Sequence, residues 1–330
     1  MNQRLFSIPY DTSINPIDYI NAINPYKQSI ENLYFGAPSL GNNYHTRYLH
    51  DADYNYENVL HENDNFKQFL DITKGKYKRT LTFNNVHLNT MGMDKRVFAE
   101  TNVIPILEKY QIEGIIITDF AMATHIHKIM PKLEICTSCN SFIWTKREMN
   151  YWTEEAGATI FNPPRDTIRM PRMLEYFRST GYKIKYIVNE SCVFGCPYRI
   201  EHAIDVSVGI KNNNRNCHHN DISNFLRSTF VLPRWLPKLD KFTDIYKISG
   251  RMSNLNFIKK TLDAYINLRD DIDIKEIVLG GIYREQIKDI SIKSKDIPDK
   301  LLTCECKDCN RTCFLCKDLM LKFMEKSKKK

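Results

Sequence analysis

Gly114-Ile-Ile-Ile-Thr118, Leu133-Glu-Ile-Cys136, Thr159-Ile-Phe161 and Lys183-Ile-Lys-Tyr-Ile-Val188 decide the fold. Each is a short run rich in β-branched or aromatic residues, as expected of a strand buried on both faces. Segments with apolar residues at helical spacing lie between and around them: Val97–Gln111, Lys146–Ala156 and Met170–Thr180. Gly181 follows the last of these, where a helix C-cap is expected. Outward from this stretch the same alternation continues. Leu5–Tyr10, Asn32–Phe35 and Arg79–Phe83 precede it, and Ile245–Ser249 follows, giving eight candidate strands. Strands alternating with helices imply a parallel sheet. Eight of them, at a spacing of roughly 25 residues, favour a TIM-like eight-stranded β/α barrel over an open doubly wound sheet.

Two insertions break the period. One runs from Gly36 to Lys74 and is rich in Asn, Tyr, His and Asp; the other, Cys192 to Leu239, separates the last two strands. On a barrel, the loops that follow the strands form the working face, so these long loops belong at the C-terminal mouth. After the eighth strand come a helix from about Leu255 to Leu268, an apolar segment Ile277–Leu279, and a Cys-rich tail leading into a closing helix. The expected organisation is a barrel domain over residues 1–300. A Cys-rich extension over 301–330 packs on the barrel mouth and ends in a basic tail.

Across its 330 residues the chain is 42% hydrophobic and 12% aromatic, ample for a large core, so disorder is not expected. The formal net charge of +8 includes the closing lysines Lys326, Lys328, Lys329 and Lys330, which read as a solvated end. The mildly basic remainder suits an anionic small molecule or an RNA without demanding either. No signal-like leader and no bilayer-length apolar run are present, so a reducing, cytoplasmic location and no membrane contact are expected. In that setting ten cysteines do not form a disulfide framework.

Eight of the ten lie after the seventh strand. Cys192 and Cys196 follow that strand directly, Cys217 stands beside His218 and His219, and Cys304, Cys306, Cys309, Cys313 and Cys316 crowd the tail. Such grouping points to metal binding. The two C-x-x-C pairs of the tail nearly touch, closer than zinc sites usually place theirs, which favours an iron–sulfur cluster with zinc as the alternative. Cys136 and Cys139 form a further C-x-x-C at the end of the fifth strand, read as packing. Polar residues at strand ends aim into the mouth: Asp119, Asn140, Asn162, Asn189, Glu190, Lys247 and Arg251. Glu190 is a candidate general acid or base, with an ion pair to Arg199 or Arg251 as its structural alternative. Lys247 and Arg251 suit a substrate carboxylate or phosphate, and Lys247 is also a candidate Schiff-base lysine. His202 is a candidate proton shuttle or ligand.

Tyr186-Ile-Val-Asn-Glu-Ser-Cys-Val-Phe-Gly-Cys-Pro-Tyr-Arg-Ile-Glu-His202 resembles the signature region of the collagenase-like peptidases, family thirty-two of the unknown-mechanism class. Ile135-Cys-Thr-Ser-Cys-Asn140 with Ala158-Thr-Ile-Phe-Asn162, and Asp244-Ile-Tyr-Lys-Ile-Ser-Gly-Arg251, are similar to further segments of that family in the same order. The resemblance implies a barrel and, in several members, a 4Fe–4S cluster held by four cysteines. Those members carry out oxygen-independent hydroxylation of ubiquinone precursors or RNA pyrimidines, while others carry a peptidase label. Matched residue by residue, Cys192 and Cys196 take two ligand positions and Cys217 a third. For the tail two arrangements stay open: one of Cys306, Cys309, Cys313 and Cys316 completes this set, or the four form a separate site. The extended Gly-Ala-Leu-Cys signature is missing here.

The leading expectation is thus an iron–sulfur enzyme performing hydroxylation or a related redox step on a small anionic or RNA-type substrate. The alternatives are a peptidase or other hydrolase, and a non-catalytic cluster-binding subunit partnered by a related barrel. The chain has no G-x-S-x-G elbow, no H-E-x-x-H helix and no nucleotide-binding glycine loop. It also lacks a C-x-x-x-C-x-x-C loop after the first strand, as radical chemistry with S-adenosylmethionine would want.

Overall fold

All eight expected runs become parallel strands, and in the computed structural model they close into a barrel in chain order. They are β1 (Leu5–Pro9), β2 (Ile30–Phe35), β3 (Arg79–Phe83), β4 (Gly114–Ile117), β5 (Glu134–Thr137), β6 (Ala158–Phe161), β7 (Lys183–Ile187) and β8 (Ile245–Lys247). Closure is made by β8 beside β1, with Ser7 in register with Lys247. The structure describes residues 3–37, 56–86, 94–207, 221–251, 253–279, 286–304 and 312–328.

Alternation along each strand sorts the side chains onto two faces. Phe6, Ile8, Leu33, Phe35, Ile115, Ile117, Phe161, Ile184 and Tyr246 face outward and join the main core beneath the helices. Tyr34, Ile116, Cys136, Ile160 and Ile245 face inward as a small separate knot. The rest of the lumen is unusually polar: Ser7, Asn32, Thr80, Thr82, Lys185 and Lys247 are all buried on the inward face.

The helices of the outer layer are α1 (Pro16–Ile23), α2 (Tyr56–Thr73), α3 (Lys95–Phe98), α4 (Ile104–Lys109), α5 (Phe120–Ile129), α6 (Lys146–Ala156) and α7 (Pro171–Ser179). Beyond β7 follow α8 (Arg199–Ser207), α9 (Leu236–Leu239), α10 (Leu255–Ile266) and α11 (Leu315–Lys328). Local chemistry sets their ends. Thr145 and Glu148 make a capping box at the start of α6, and Gly157 ends it at φ +63°. A side chain on Gly157 would also run into the His127 ring, with its Cβ 2.3 Å from the nearest ring atom.

Two expectations change form. The helix expected over Val97–Gln111 is divided, with a π turn at Ala99–Val103 between α3 and α4. Pro105 lacks the N–H that would bond the Thr101 carbonyl and would crowd it in a regular turn, so the helix widens there. Within the supposed Gly36–Lys74 insertion lies the eighteen-residue α2, whose Phe66, Phe69 and Leu70 pack into the core.

The segment after β8 returns to the barrel. Leu279 bridges to Glu190, and the Asn189 amide donates to the Ile277 and Ser249 carbonyls while accepting from the Ser249 N–H. Farther on, the Asp299 carboxylate accepts from Arg234, Lys238 and the Trp235 indole, joining this segment to the β7–β8 connection. The core continues into the Cys-rich extension: Cys316, Met320 and Phe323 of α11 are buried in it beside Leu301 and Leu302. Among the described residues, no helix is long and apolar enough to cross a membrane.

Candidate active site at the barrel mouth

The C-terminal ends of β5 to β8 gather a group of charged and thiol side chains. Glu190, two residues past Val188, forms an ion pair with Arg165, and the Ser249 hydroxyl donates to its other oxygen at 3.1 Å. Glu190 is thus ion-paired, but to Arg165 and not to the expected Arg199 or Arg251. Arg165 reaches the site because Pro163 and Pro164 turn the chain off β6 into a short 3-10 turn, Arg165–Arg169. Its Nη1 also donates to Asn140 Oδ1 at 2.9 Å. Arg199, one of the two expected partners, instead pairs with Asp166 and donates to the Val193 carbonyl at 2.8 Å.

That Asp166–Arg199 pair shapes the loop bearing Cys192 and Cys196. Asp166 also accepts from the Gly195 N–H, and Gly195 takes φ +66°, a conformation that favours glycine. On the other side, the Thr229 N–H donates to the Cys192 carbonyl and the Phe194 N–H to that of Arg227. The two cysteines are thus held on one braced turn, both partly accessible. Cys139 joins the same electrostatic neighbourhood. It is buried after β5, and burial pushes its thiol up while Arg165 and Lys247 draw it back. Of the two cysteines read as packing, Cys136 lies in the inner knot and Cys139 is buried outside it.

Lys247 lies at the top of β8 with its amine 4.3 Å from the centre of the Tyr34 ring; the Arg251 guanidinium stands 5.9 Å from the same centre. The ring is fixed because its hydroxyl donates to the Ile248 carbonyl at 2.6 Å. Lys247 is 5% exposed, and among the described residues no carboxylate lies within ion-pair reach of it. Burial lowers its amine to about 8, and the positive charges of Arg251 and Lys185 push the same way against an opposing effect of Cys139. Asn162 is 2% exposed on the rim, with neither amide atom hydrogen-bonded. Such an orphan in a barrel mouth marks a place for a ligand or water.

Other expected site residues fall elsewhere or serve the frame. His202 is exposed on α8 rather than on a loop. Asp119 caps α5 and pairs with Lys95. Asn189 is the latch already described. Cys217, Cys306 and Cys309, with His218 and His219, lie outside the described residues. Cys316 is buried in the core, and Cys313 precedes α11. Among the described residues, no three His, Cys, Asp or Glu side chains gather into a metal-binding group. On their own, then, the described residues do not compose a cluster site.

Fold and site together define a parallel β/α barrel with a cation-rich mouth built from β5 to β8. No protein-family profile matches the chain. An uncharacterized protease of Methanocaldococcus jannaschii is 26% identical over 159 residues, covering 44% of this chain and 47% of the relative. The match thus spans about half the length of that curated relative. The solved structure of a U32 peptidase superposes with a TM-score of 0.50 at 7% identity, over 77% of this chain and 96% of that one. A tryptophan synthase α-subunit from Pyrococcus furiosus gives a TM-score of 0.41 at 12% identity, over 81% of this chain and all of that one. The protease match and the barrel of the U32 peptidase both support the resemblance to the collagenase-like peptidase family.

Proposed function

We propose that this chain is an enzyme that hydrolyses amide bonds at the barrel mouth. The observation that carries the reading is Lys247, a buried amine without an acidic partner among the described residues, lowered by burial to about 8 beside Arg251. An amine of that kind is a competent general base near pH 8. In the proposed step it takes a proton from water as the water oxygen bonds to the amide carbon. The oxyanion is met by the Arg251 guanidinium and the unpaired Asn162 amide, and the ammonium returns the proton to the departing nitrogen. The Arg165–Glu190 pair, braced by Ser249, holds the rim in place. The protease and the U32 peptidase that the chain resembles support the same class of reaction.

The test is to incubate the purified chain with a diverse peptide library and detect new termini by mass spectrometry. The expected result is cleavage that rises through pH 8 and disappears in Lys247→Met with the fold retained. An uncleaved library, or a Lys247→Met variant as active as the parent, overturns the proposal.

A second reading, an iron–sulfur redox enzyme, is favoured by Cys192 and Cys196 sharing one braced, partly accessible turn at the mouth. In this reading Cys217 and one or more of Cys306, Cys309, Cys313 and Cys316 complete the ligand set, and the bound cluster supplies electron transfer. Anaerobic purification with iron and sulfide assays decides it. A brown protein that loses iron in Cys192→Ser and Cys196→Ser but keeps it in Cys136→Ser supports the cluster; a colourless one with stoichiometric zinc favours hydrolysis.

A further inference from the structure

Among the described residues, most buried or half-buried cations of the barrel have neutralising or hydrogen-bonding partners, whereas neither Lys247 nor Lys185 is ion-paired. Arg79 binds Glu113 and two carbonyls, Lys78 binds Glu31 and Glu134, and Arg169 donates to the Leu226 and Phe230 carbonyls. Lys247 has the Tyr34 ring beside it and a second buried lysine farther down the lumen. Lys185 is 1% exposed and in register with Ile245, one inward-facing step down on the neighbouring strand. Ser7, in register with Lys247 on the other side, is fully buried with its hydroxyl unbonded. The charge of Lys185 in the same lumen disfavours the protonated form of Lys247, which is how an amine is readied as a nucleophile.

We propose that Lys247 condenses with small α-keto acids, forming an imine in the barrel mouth. The Lys247 nitrogen lone pair bonds to the keto carbon while the carbonyl electron pair moves onto oxygen. Both amine protons pass in turn from nitrogen to that oxygen, which leaves as water, and a carbon–nitrogen double bond remains. The orphaned Ser7 hydroxyl is placed to relay them. Arg251, across the same Tyr34 ring, is the guanidinium that would bind the carboxylate in a bidentate contact. The inference goes beyond amide hydrolysis and does not depend on it, since condensation needs only the amine, and a trapped adduct is read as mass rather than as cleavage.

The experiment uses the full chain, with pyruvate as the probe and cyanoborohydride to reduce the imine, followed by peptide mass spectrometry. The expected result is a reduced adduct on Lys247 at least about tenfold above any exposed lysine, lost when the chain is labelled in denaturant. Acetaldehyde, which lacks the carboxylate, should show weaker preference for Lys247. Lys185→Met should move the labelling optimum to higher pH, because the charge that depresses the Lys247 amine is gone. Labelling spread evenly over exposed lysines, or equal labelling in native and denatured protein, overturns the proposal.

Discussion

The two ends of the barrel treat buried charge in opposite ways. At the closed end, where the strands begin, cations meet anions in turn: Arg4 with Asp240, Lys78 with Glu31 and Glu134, Arg79 with Glu113, Arg178 with Asp244. At the mouth, Arg165 and Arg199 are paired, yet among the described residues Lys247 has no acidic partner and the Asn162 side-chain amide has no hydrogen bond. A paired charge contributes to the fold. An unpaired buried one works against it, and is tolerated where chemistry needs it. The difference separates residues that hold the barrel shut from residues available to a substrate.

The largest test of that contrast lies at the closed end. Arg79→Ala strips Glu113 of its partner, frees two carbonyls and opens a cavity, since Arg79 is 2% exposed. The expected loss is about 3–5 kcal/mol in chemical denaturation. A loss below about 1 kcal/mol would mean that the closed end is not the stabilising half.

Lys247→Met should act in the other direction. In the folded chain the amine sits at about 8 rather than its ordinary 10.5, so the unfolded chain binds more protons between those values. Stability therefore rises with pH across that window, and below pH 8 the full penalty of roughly 3 kcal/mol applies. The methionine variant removes it and should be more stable by about 2 kcal/mol at pH 7, with the gain fading toward pH 10.5. Melting curves at several pH values check this. A variant less stable than the parent at pH 7 would place Lys247 among the structural cations.

The smallest stability effect is expected at Asn162. Because its amide makes no hydrogen bond, Asn162→Ala should change stability by less than about 1 kcal/mol. The same change should lower peptide cleavage between about tenfold and a hundredfold if the amide meets the oxyanion. Equal losses in stability and activity would return Asn162 to the frame.

Much of the barrel was legible because its strands are short apolar runs with no competing reading. Lys183–Val188 and Gly114–Thr118 are too apolar to be loops and too short to be helices. α2 was not legible: Tyr56-Glu-Asn-Val-Leu-His-Glu-Asn-Asp-Asn-Phe66 is so polar that its apolar stripe shows only in the last turns. At the site, positions at strand ends located Glu190, Lys247, Arg251 and Asn162. What spacing could not supply was partnership. Arg165 finds Glu190 only because a proline pair redirects the chain after β6, and Tyr34 meets Lys247 only because β8 closes on β1. Ring closure sets such contacts, and they leave no mark in local pattern. The Pro163-Pro164-Arg165 turn was the one available signal.

The Asp299 junction has an optical consequence. Trp235 is fully buried and its indole N–H donates to Asp299 at 2.7 Å, whereas Trp144 is 39% exposed. Lys238 first, and the indole itself next, hold the Asp299 carboxyl well below the usual carboxylate range, so the acceptor persists into acid. The emission colour of Trp235 is thus tied to a single seam, where the stretch around Asp299 lies against the β7–β8 connection. If that seam parts before the strands separate, fluorescence will shift to the red while circular dichroism still reports an intact barrel.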